Sequence, residues 1–181
     1  NLLLIHLDKL ELLSASNNKL IQIDKRAFDS LKKLKILDLT FNEIQILNEN
    51  HLKNQHSLEI LELANNRLSK IEYRSLRNLK KLQKLNLEDN CLFKLENGLF
   101  DFNIQLKDIY LGKNDLKIIE VFYFKKLFEL KLLDLSNNLI SKIETGSFSD
   151  LGNLEDLKLK FNYLNFVNKE MFEDLLILKK L

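Results

Sequence analysis

Three residue types are scarce or missing: proline is absent from the 181 residues, glycine occurs four times and cysteine once. Average usage would give roughly nine prolines. So few glycines nearly exclude the glycine-rich loops that hold phosphates. A single cysteine, Cys91, cannot form a disulfide within the chain, which excludes a small disulfide scaffold. No run of 18 apolar residues is present, so the sequence predicts neither a membrane span nor membrane contact in these residues.

The chain also lacks a strong excess of either charge. With 28 basic and 26 acidic residues, its formal net charge is only +2. A polybasic nucleic-acid binder carries a larger excess, so we predict no nucleic-acid partner. Hydrophobic residues make up 45% of the chain, enough to form a core, and this excludes intrinsic disorder.

Leucine is abundant, and it recurs with a fixed period of 24 residues. One set begins each unit, with no insertion or deletion: Leu10, Leu34, Leu58, Leu82, Leu106, Leu130, Leu154 and Leu178. Seven full units follow from this spacing: 10–33, 34–57, 58–81, 82–105, 106–129, 130–153 and 154–177. We call residues at equivalent positions of successive units a column. Such a period predicts a stacked repeat protein whose units bury a continuous core.

Two further columns are nearly invariant. Asparagine stands in every unit, at Asn18, Asn42, Asn66, Asn90, Asn114, Asn138 and Asn162. We predict a structural role for it, because an amide can satisfy turn groups that the stack would leave unpaired. A bulky residue closes each unit, at Phe28, Leu52, Leu76, Phe100, Phe124, Phe148 and Phe172, and we assign this column to the core.

The pattern LxxLxLxxNxL, with phenylalanine near the end of the unit, resembles the leucine-rich repeat family over essentially the whole chain. The 24-residue unit is similar to the typical class of animal extracellular proteins, such as Toll-type receptor ectodomains and chaoptin-like adhesion proteins. The resemblance implies an α/β-type repeat solenoid, an arc or horseshoe. A parallel β-sheet would line its concave side, and its convex side would be irregular or short-helical.

Partial repeats flank the seven full units. Leu4 and Leu7 hold closing positions of a preceding unit, and Leu178 and Leu181 open a following one. We therefore expect residues 1–181 to be a single array taken from a longer one, because end units need caps to cover their apolar faces.

Nothing in the sequence indicates catalytic or cofactor chemistry. His6, His51 and His56 lie outside the predicted strands without metal-ligand spacing, and we expect them to be solvated. No nucleophile elbow, HExxH motif, phosphate loop or CxxC pair occurs. We predict a non-enzymatic chain without cofactor or metal, and Cys91 as a free thiol or one that pairs outside this segment.

The outward positions of the predicted strands carry the functional information, since they vary while the scaffold does not. Together they hold seven carboxylates and four lysines, a net charge of −3, which favours a mildly basic protein partner. Aliphatic residues fill one outward column where polar residues are expected, edged by carboxylates, and a second candidate surrounds a tyrosine. The candidate ligand-binding residues are Leu12, Ile36, Asp38, Thr40, Phe41, Ile60 and Glu62, and then Asn86, Glu88, Asp108, Tyr110 and Asp134.

A convex aromatic group gives a further candidate surface. Phe122, Tyr123 and Phe128 fall in one unit, and Gly98 and Gly146 occupy the column of Phe122 in the neighbouring units. Packing between convex turns is one interpretation. The other is a patch for a partner or for self-association.

The resemblance implies protein–protein recognition as the function. The first hypothesis is an extracellular or cell-surface receptor-like protein that binds a protein ligand or co-receptor, in innate immunity or development. Cell adhesion is the second, and an intracellular scaffold or regulatory subunit is the third. The sequence does not decide between these classes, and it names no ligand.

Overall fold

The computed structural model describes residues 7–181, so Leu4 and His6 lie outside the described residues. Within this range, short strands recur every 24 residues and form one seven-stranded parallel sheet. Its strands are β1 (Leu12–Ser14), β2 (Ile36–Asp38), β4 (Ile60–Glu62), β6 (Lys84–Asn86), β7 (Asp108–Tyr110), β9 (Leu132–Asp134) and β11 (Asp156–Lys158). Each strand pairs with the strand of the next unit, so that equivalent residues lie side by side. The predicted leucine-rich repeat solenoid with a parallel sheet is confirmed.

Alternation of side chains sets the two faces of this sheet. In β2 the central Leu37 is fully buried, whereas Ile36 and Asp38 on either side are only partly buried. The same pattern holds in β4, β6, β7, β9 and β11. Because strand residues alternate between the faces, the central leucine or isoleucine of each strand enters the core while its two neighbours face outward. The outward residues build the surface described below.

The rest of each unit consists mostly of turns. Two short strand pairs lie outside the main sheet: β3 (Ile46–Leu47) with β5 (Lys70–Ile71), and β8 (Ile118–Ile119) with β10 (Lys142–Ile143). The one helical element of residues 7–181 is a 3-10 helix at Lys169–Met171. Asn168 precedes it and accepts a hydrogen bond from the backbone N–H of Met171. The convex side is thus irregular rather than helical.

The core lies between the sheet and the convex turns. It is built from leucine columns that are almost completely inaccessible to solvent. Four phenylalanine rings stack along the solenoid axis, from Phe100 through Phe124 and Phe148 to Phe172, with centroids 6.2–6.3 Å apart. Each unit therefore packs mainly on its neighbours, as in a one-dimensional array.

The asparagine column forms a hydrogen-bond ladder through the turns that follow the strands. Asn90 is representative: its Oδ1 accepts from the Leu68 N–H of the preceding unit at 2.9 Å. Its Nδ2 donates to the carbonyl oxygens of Leu63, Leu87 and Glu88 at 3.0–3.2 Å. Asn42, Asn66, Asn114 and Asn138 repeat these bonds and are buried. One amide thus joins two units, which explains why no other residue type stands in this column.

One buried column contradicts the sequence analysis in two places. His51 and Tyr123, expected to be exposed, are only 7% and 2% exposed. Their column is Ala27, His51, Ser75, Leu99, Tyr123, Ser147 and Met171, and it faces the core just ahead of the phenylalanine column. Its polar members each bond to the residue three positions earlier, as Ser75 Oγ does to the Glu72 carbonyl oxygen at 2.7 Å. These local bonds allow polar side chains into the core.

Candidate protein-binding surface

An apolar strip runs across the first strands on the concave face. Register places Leu12 beside Ile36, and Ile36 beside Ile60. Leu12 is 55% exposed, and the two isoleucines are partly buried. We call these three residues the concave strip. Lys84 and Asp108 continue the column in the next two strands, so the apolar strip ends after the third unit.

Asp38 lies next to the concave strip, two residues beyond Ile36. One of its carboxylate oxygens accepts from the Thr40 hydroxyl at 2.7 Å and from the Thr40 backbone N–H at 3.0 Å. The other accepts from the Ser14 hydroxyl at 2.8 Å. Partial burial raises the pKa of Asp38, but these hydrogen bonds outweigh it and hold the pKa below its ordinary value. No ion pair found within residues 7–181 includes Asp38, so its negative charge is available to a partner.

Phe41 has an unfavourable backbone conformation. It is 53% exposed, and its φ of 53° is in the left-handed region. The equivalent residues Asn17, Asn65 and Asn137 have φ of 54–56°, and asparagine tolerates this conformation. Phenylalanine tolerates it poorly, with a cost of about 1–2 kcal/mol. Asp89, Lys113 and Phe161 adopt the same conformation, so it belongs to the repeat turn, and what marks Phe41 as a candidate is its exposed ring just after β2.

In the second candidate site, around Tyr110, most of the charged side chains already form ion pairs with one another. Lys84 lies over the Tyr110 ring, 5.5 Å from its centroid, and forms an ion pair with Glu62 at 2.7 Å. The candidate carboxylates Glu88 and Asp134 form ion pairs with lysines of neighbouring units, at 3.0 and 3.2 Å.

The Asn86 Oδ1 accepts from the Glu88 N–H. The hydrogen bond to Glu62 raises the pKa of Lys84, and Asp108, which lies beside Lys84 in register, adds a smaller effect in the same direction. The structure brings these residues together, but three of the four carboxylates in this region are already neutralised.

The proposed convex patch needs a correction. Tyr123 does not belong to it, because its ring packs edge-on against Phe124 in the core and its hydroxyl donates to Glu120. Burial raises the pKa of Tyr123 to about 12, and the Glu120 carboxylate adds to this effect. Phe122 and Phe128 are 56% and 54% exposed. They line two different clefts that share no residue, so they do not form one patch.

Metal-binding geometry is not found in the part of the chain that the structure describes. No group of three or more His, Cys, Asp or Glu side chains in residues 7–181 is arranged to hold an ion. His51 is enclosed by Asn48, and the Cys91 thiol is exposed and unpaired. A search of residues 7–181 finds no helix with the length and apolar character needed to cross a membrane.

Comparison with known proteins identifies the class of molecule that this fold and surface define. The sequence profile of the family described as leucine rich repeat matches residues 5–68, 32–92, 56–116, 104–164 and 128–181. The chain therefore belongs to the leucine-rich repeat family. No curated protein matches the sequence significantly.

Several solved structures share the fold. The crystal structure of a TLR13–ssRNA13 complex is 26% identical, covers 97% of this chain and has a TM-score of 0.73. The APL1 leucine-rich repeat domain is 22% identical over 90%, with a TM-score of 0.83. The Drosophila Toll–Spätzle complex is 21% identical over 97%, with a TM-score of 0.73. The chain spans only 29%, 42% and 27% of the matched chains, respectively.

Proposed function

We propose that this chain is a protein-recognition module of an extracellular or cell-surface receptor-like protein, with no enzymatic activity. Residues 1–181 would form one array within a longer one. The support is the family membership and the nature of the similar structures. One of them is a complex between Toll and Spätzle in development and innate immunity, and another is the LRIM1/APL1C complex. Cell adhesion and an intracellular regulatory role are the alternatives.

The observation that carries the proposal is the exposed apolar surface on the concave face. The concave strip lies at the start of strands β1, β2 and β4, and Phe41 follows Ile36 by five residues, in the turn after β2. Asp38 lies between them with its charge retained. Apolar anchors around a charged group are a common arrangement in protein interfaces, where the anchors provide affinity and the charge provides orientation. A protein with apolar side chains and a basic group therefore fits this surface best.

Site-specific photo-crosslinking tests the proposal directly. The photoreactive residue p-benzoylphenylalanine would replace Ile36 or Phe41 in the full-length protein, which is then exposed to proteins secreted by its source cells. We expect a defined protein adduct from both positions. The matched control is Ile118, an isoleucine 40% exposed in β8, outside the concave sheet. Adducts at Ile118 but none at Ile36 or Phe41 would place the ligand elsewhere.

A second candidate function is self-association, as adhesion would require. The cleft that Ile104 and Phe128 line together favours it, because both side chains are more than half exposed and adjoining exposed apolar side chains often mark contact sites. A concentration-dependent dimer in sedimentation of the full-length protein would support this candidate.

A further inference from the structure

Charges on neighbouring units follow a simple rule in this solenoid. Residues 24 apart stand side by side, and where such residues carry opposite charges they often form an ion pair. Five pairs of residues 7–181 obey this rule at 2.7–3.5 Å: Glu11–Lys35, Asp29–Lys53, Glu43–Arg67, Asp134–Lys158 and Glu155–Lys179. Opposite charges at stacked positions stabilise adjacent units, whereas like charges repel.

Four other lysines of residues 7–181 have no such ion pair, although Asp8 stands 24 residues before Lys32. Lys32 and Lys33 precede β2, and Lys80 and Lys81 occupy the equivalent positions two units later. The unit between them carries His56 and Ser57 at these positions, and neither can neutralise a lysine. All four lysines are exposed. No ion pair found within residues 7–181 includes any of them. We call the four lysines the basic ridge.

The basic ridge runs along the solenoid on the flank that precedes the strands. The register of β2, β4 and β6 aligns the turns that lead into them. Two strand spacings then separate the two lysine pairs, about 10 Å. The ridge thus presents two parallel rows of positive charge along the stacking direction. It lies apart from the concave strip, whose residues face outward from the sheet.

We propose that the basic ridge binds a linear sulfated polysaccharide lying along the stacking direction of the solenoid. Unpaired lysines in rows match a polymer with regularly spaced negative groups, and clusters of basic residues are a common feature of heparin-binding patches. Lysine acts as a point charge without the planar fork of arginine, which suits sulfates that are held by charge alone. This interaction is independent of the concave surface and of the protein partner proposed there.

Two other classes of partner fit the ridge less well. A protein interface needs apolar anchors, and neither the four lysines nor His56 and Ser57 between them provide one; the first apolar residue of these columns is Ile104, in the unit after Lys80. Single-stranded nucleic acid needs aromatic rings on which bases stack. In the unit after Lys80 and Lys81 the aromatic residue ahead of the strand is Phe102, and the Arg77 guanidinium already lies over its ring, 5.9 Å from the centroid.

Heparin is the probe for the test, titrated into the full-length protein by calorimetry at about 0.15 M salt. Lys80→Gln/Lys81→Gln and Lys32→Gln/Lys33→Gln each remove two charges from the ridge. We expect each double variant to weaken heparin binding roughly tenfold or more, because each lysine near a dense anionic surface adds substantially to affinity. The matched control is Lys94→Gln/Lys117→Gln, two exposed lysines on the opposite flank, and its affinity should change less than about twofold.

Two further probes identify the source of the negative charge. Heparin stripped of its sulfates retains its carboxylates, and we expect it to bind far more weakly than heparin. Single-stranded RNA should bind more weakly than heparin and without dependence on the four lysines. Equal heparin affinity in the ridge variants and the control variant would overturn the proposal. RNA binding that equals heparin binding and depends on the ridge would also overturn it, in favour of nucleic acid. Ile36→Asp should leave heparin binding unchanged whether or not the concave surface binds a protein.

Discussion

Single residues matter most where a column departs from its usual residue type. His51 stands in a column whose other members include alanine, serine and leucine, so neither hydropathy nor spacing indicated that this column is buried. The structure explains the burial through Asn48. The Asn48 backbone N–H donates to the His51 Nδ1 at 3.3 Å, and its side-chain amide lies 2.9 Å from Nε2. A bond to the residue three positions earlier recurs in the pairs 48/51, 72/75, 120/123 and 144/147, but most of these bonds use a backbone group, so residue type does not reveal them.

The burial of His51 predicts a pH-dependent stability. Burial lowers the pKa of His51, and the Glu72 and Asp24 carboxylates oppose this only in part. The unfolded chain therefore binds a proton more readily than the folded chain does. Stability is then fully present above the ordinary pKa of about 6.5 and declines as the pH falls below it.

Urea unfolding between pH 7.5 and 5 measures this effect. We expect the free energy of unfolding of wild type to fall by up to about 1.4 kcal/mol per pH unit below 6.5. His51→Gln should remove this part of the pH dependence, whereas the exposed His56→Gln should retain it. An unchanged slope in His51→Gln would contradict the assignment.

Structural elements are held together by the asparagine ladder rather than by long strands or helices. Each strand of the main sheet has three residues, and a strand of this length pairs only weakly. The sequence indicated the ladder correctly as a structural feature, because the short asparagine side chain offers two N–H donors and an acceptor oxygen together. Its precise partners depend on the stacking of units, which no single unit encodes.

The ladder predicts a large difference between two chemically identical substitutions. Asn90→Ala leaves the buried Leu68 N–H without an acceptor and removes three donated bonds. We expect a loss of about 2–4 kcal/mol in the free energy of unfolding, measured by urea titration. Asn18 is exposed, and within residues 7–181 it bonds only to carbonyl oxygens of its own unit. Asn18→Ala should lose less than about 1 kcal/mol. Equal losses would show that the bonds between units contribute little.

At the scale of the whole molecule, the sequence predicts the solenoid well and the binding surface only in part. Leucine, asparagine and phenylalanine columns repeat because the core must be built in every unit. Outward carboxylates such as Glu62 and Asp108 are free of that constraint, so their pattern does not reveal which of them form ion pairs. The ion pair between Lys84 and Glu62 depends on side-chain reach between strands, which the sequence does not specify. Likewise, the left-handed backbone at Phe41 emerges only from the turn geometry.

The central claim is that the concave face is a binding surface rather than a solvated part of the scaffold. Phe41→Asn tests it most directly, because asparagine tolerates the left-handed conformation that strains phenylalanine. We expect this variant to be as stable as wild type or up to about 1 kcal/mol more stable. If Phe41 is an anchor, the affinity for the protein captured at Ile36 should nevertheless fall by about thirtyfold.

The matched control for this measurement is Phe161→Asn, since Phe161 has a φ of 57° at the same position of the last full unit. It should gain similar stability and leave binding unchanged. Stability and affinity of the two variants, measured side by side in the full-length protein, decide the question. Loss of binding in Phe41→Asn alone, without loss of stability, is the result that the concave surface predicts. Unchanged binding by Phe41→Asn would contradict it.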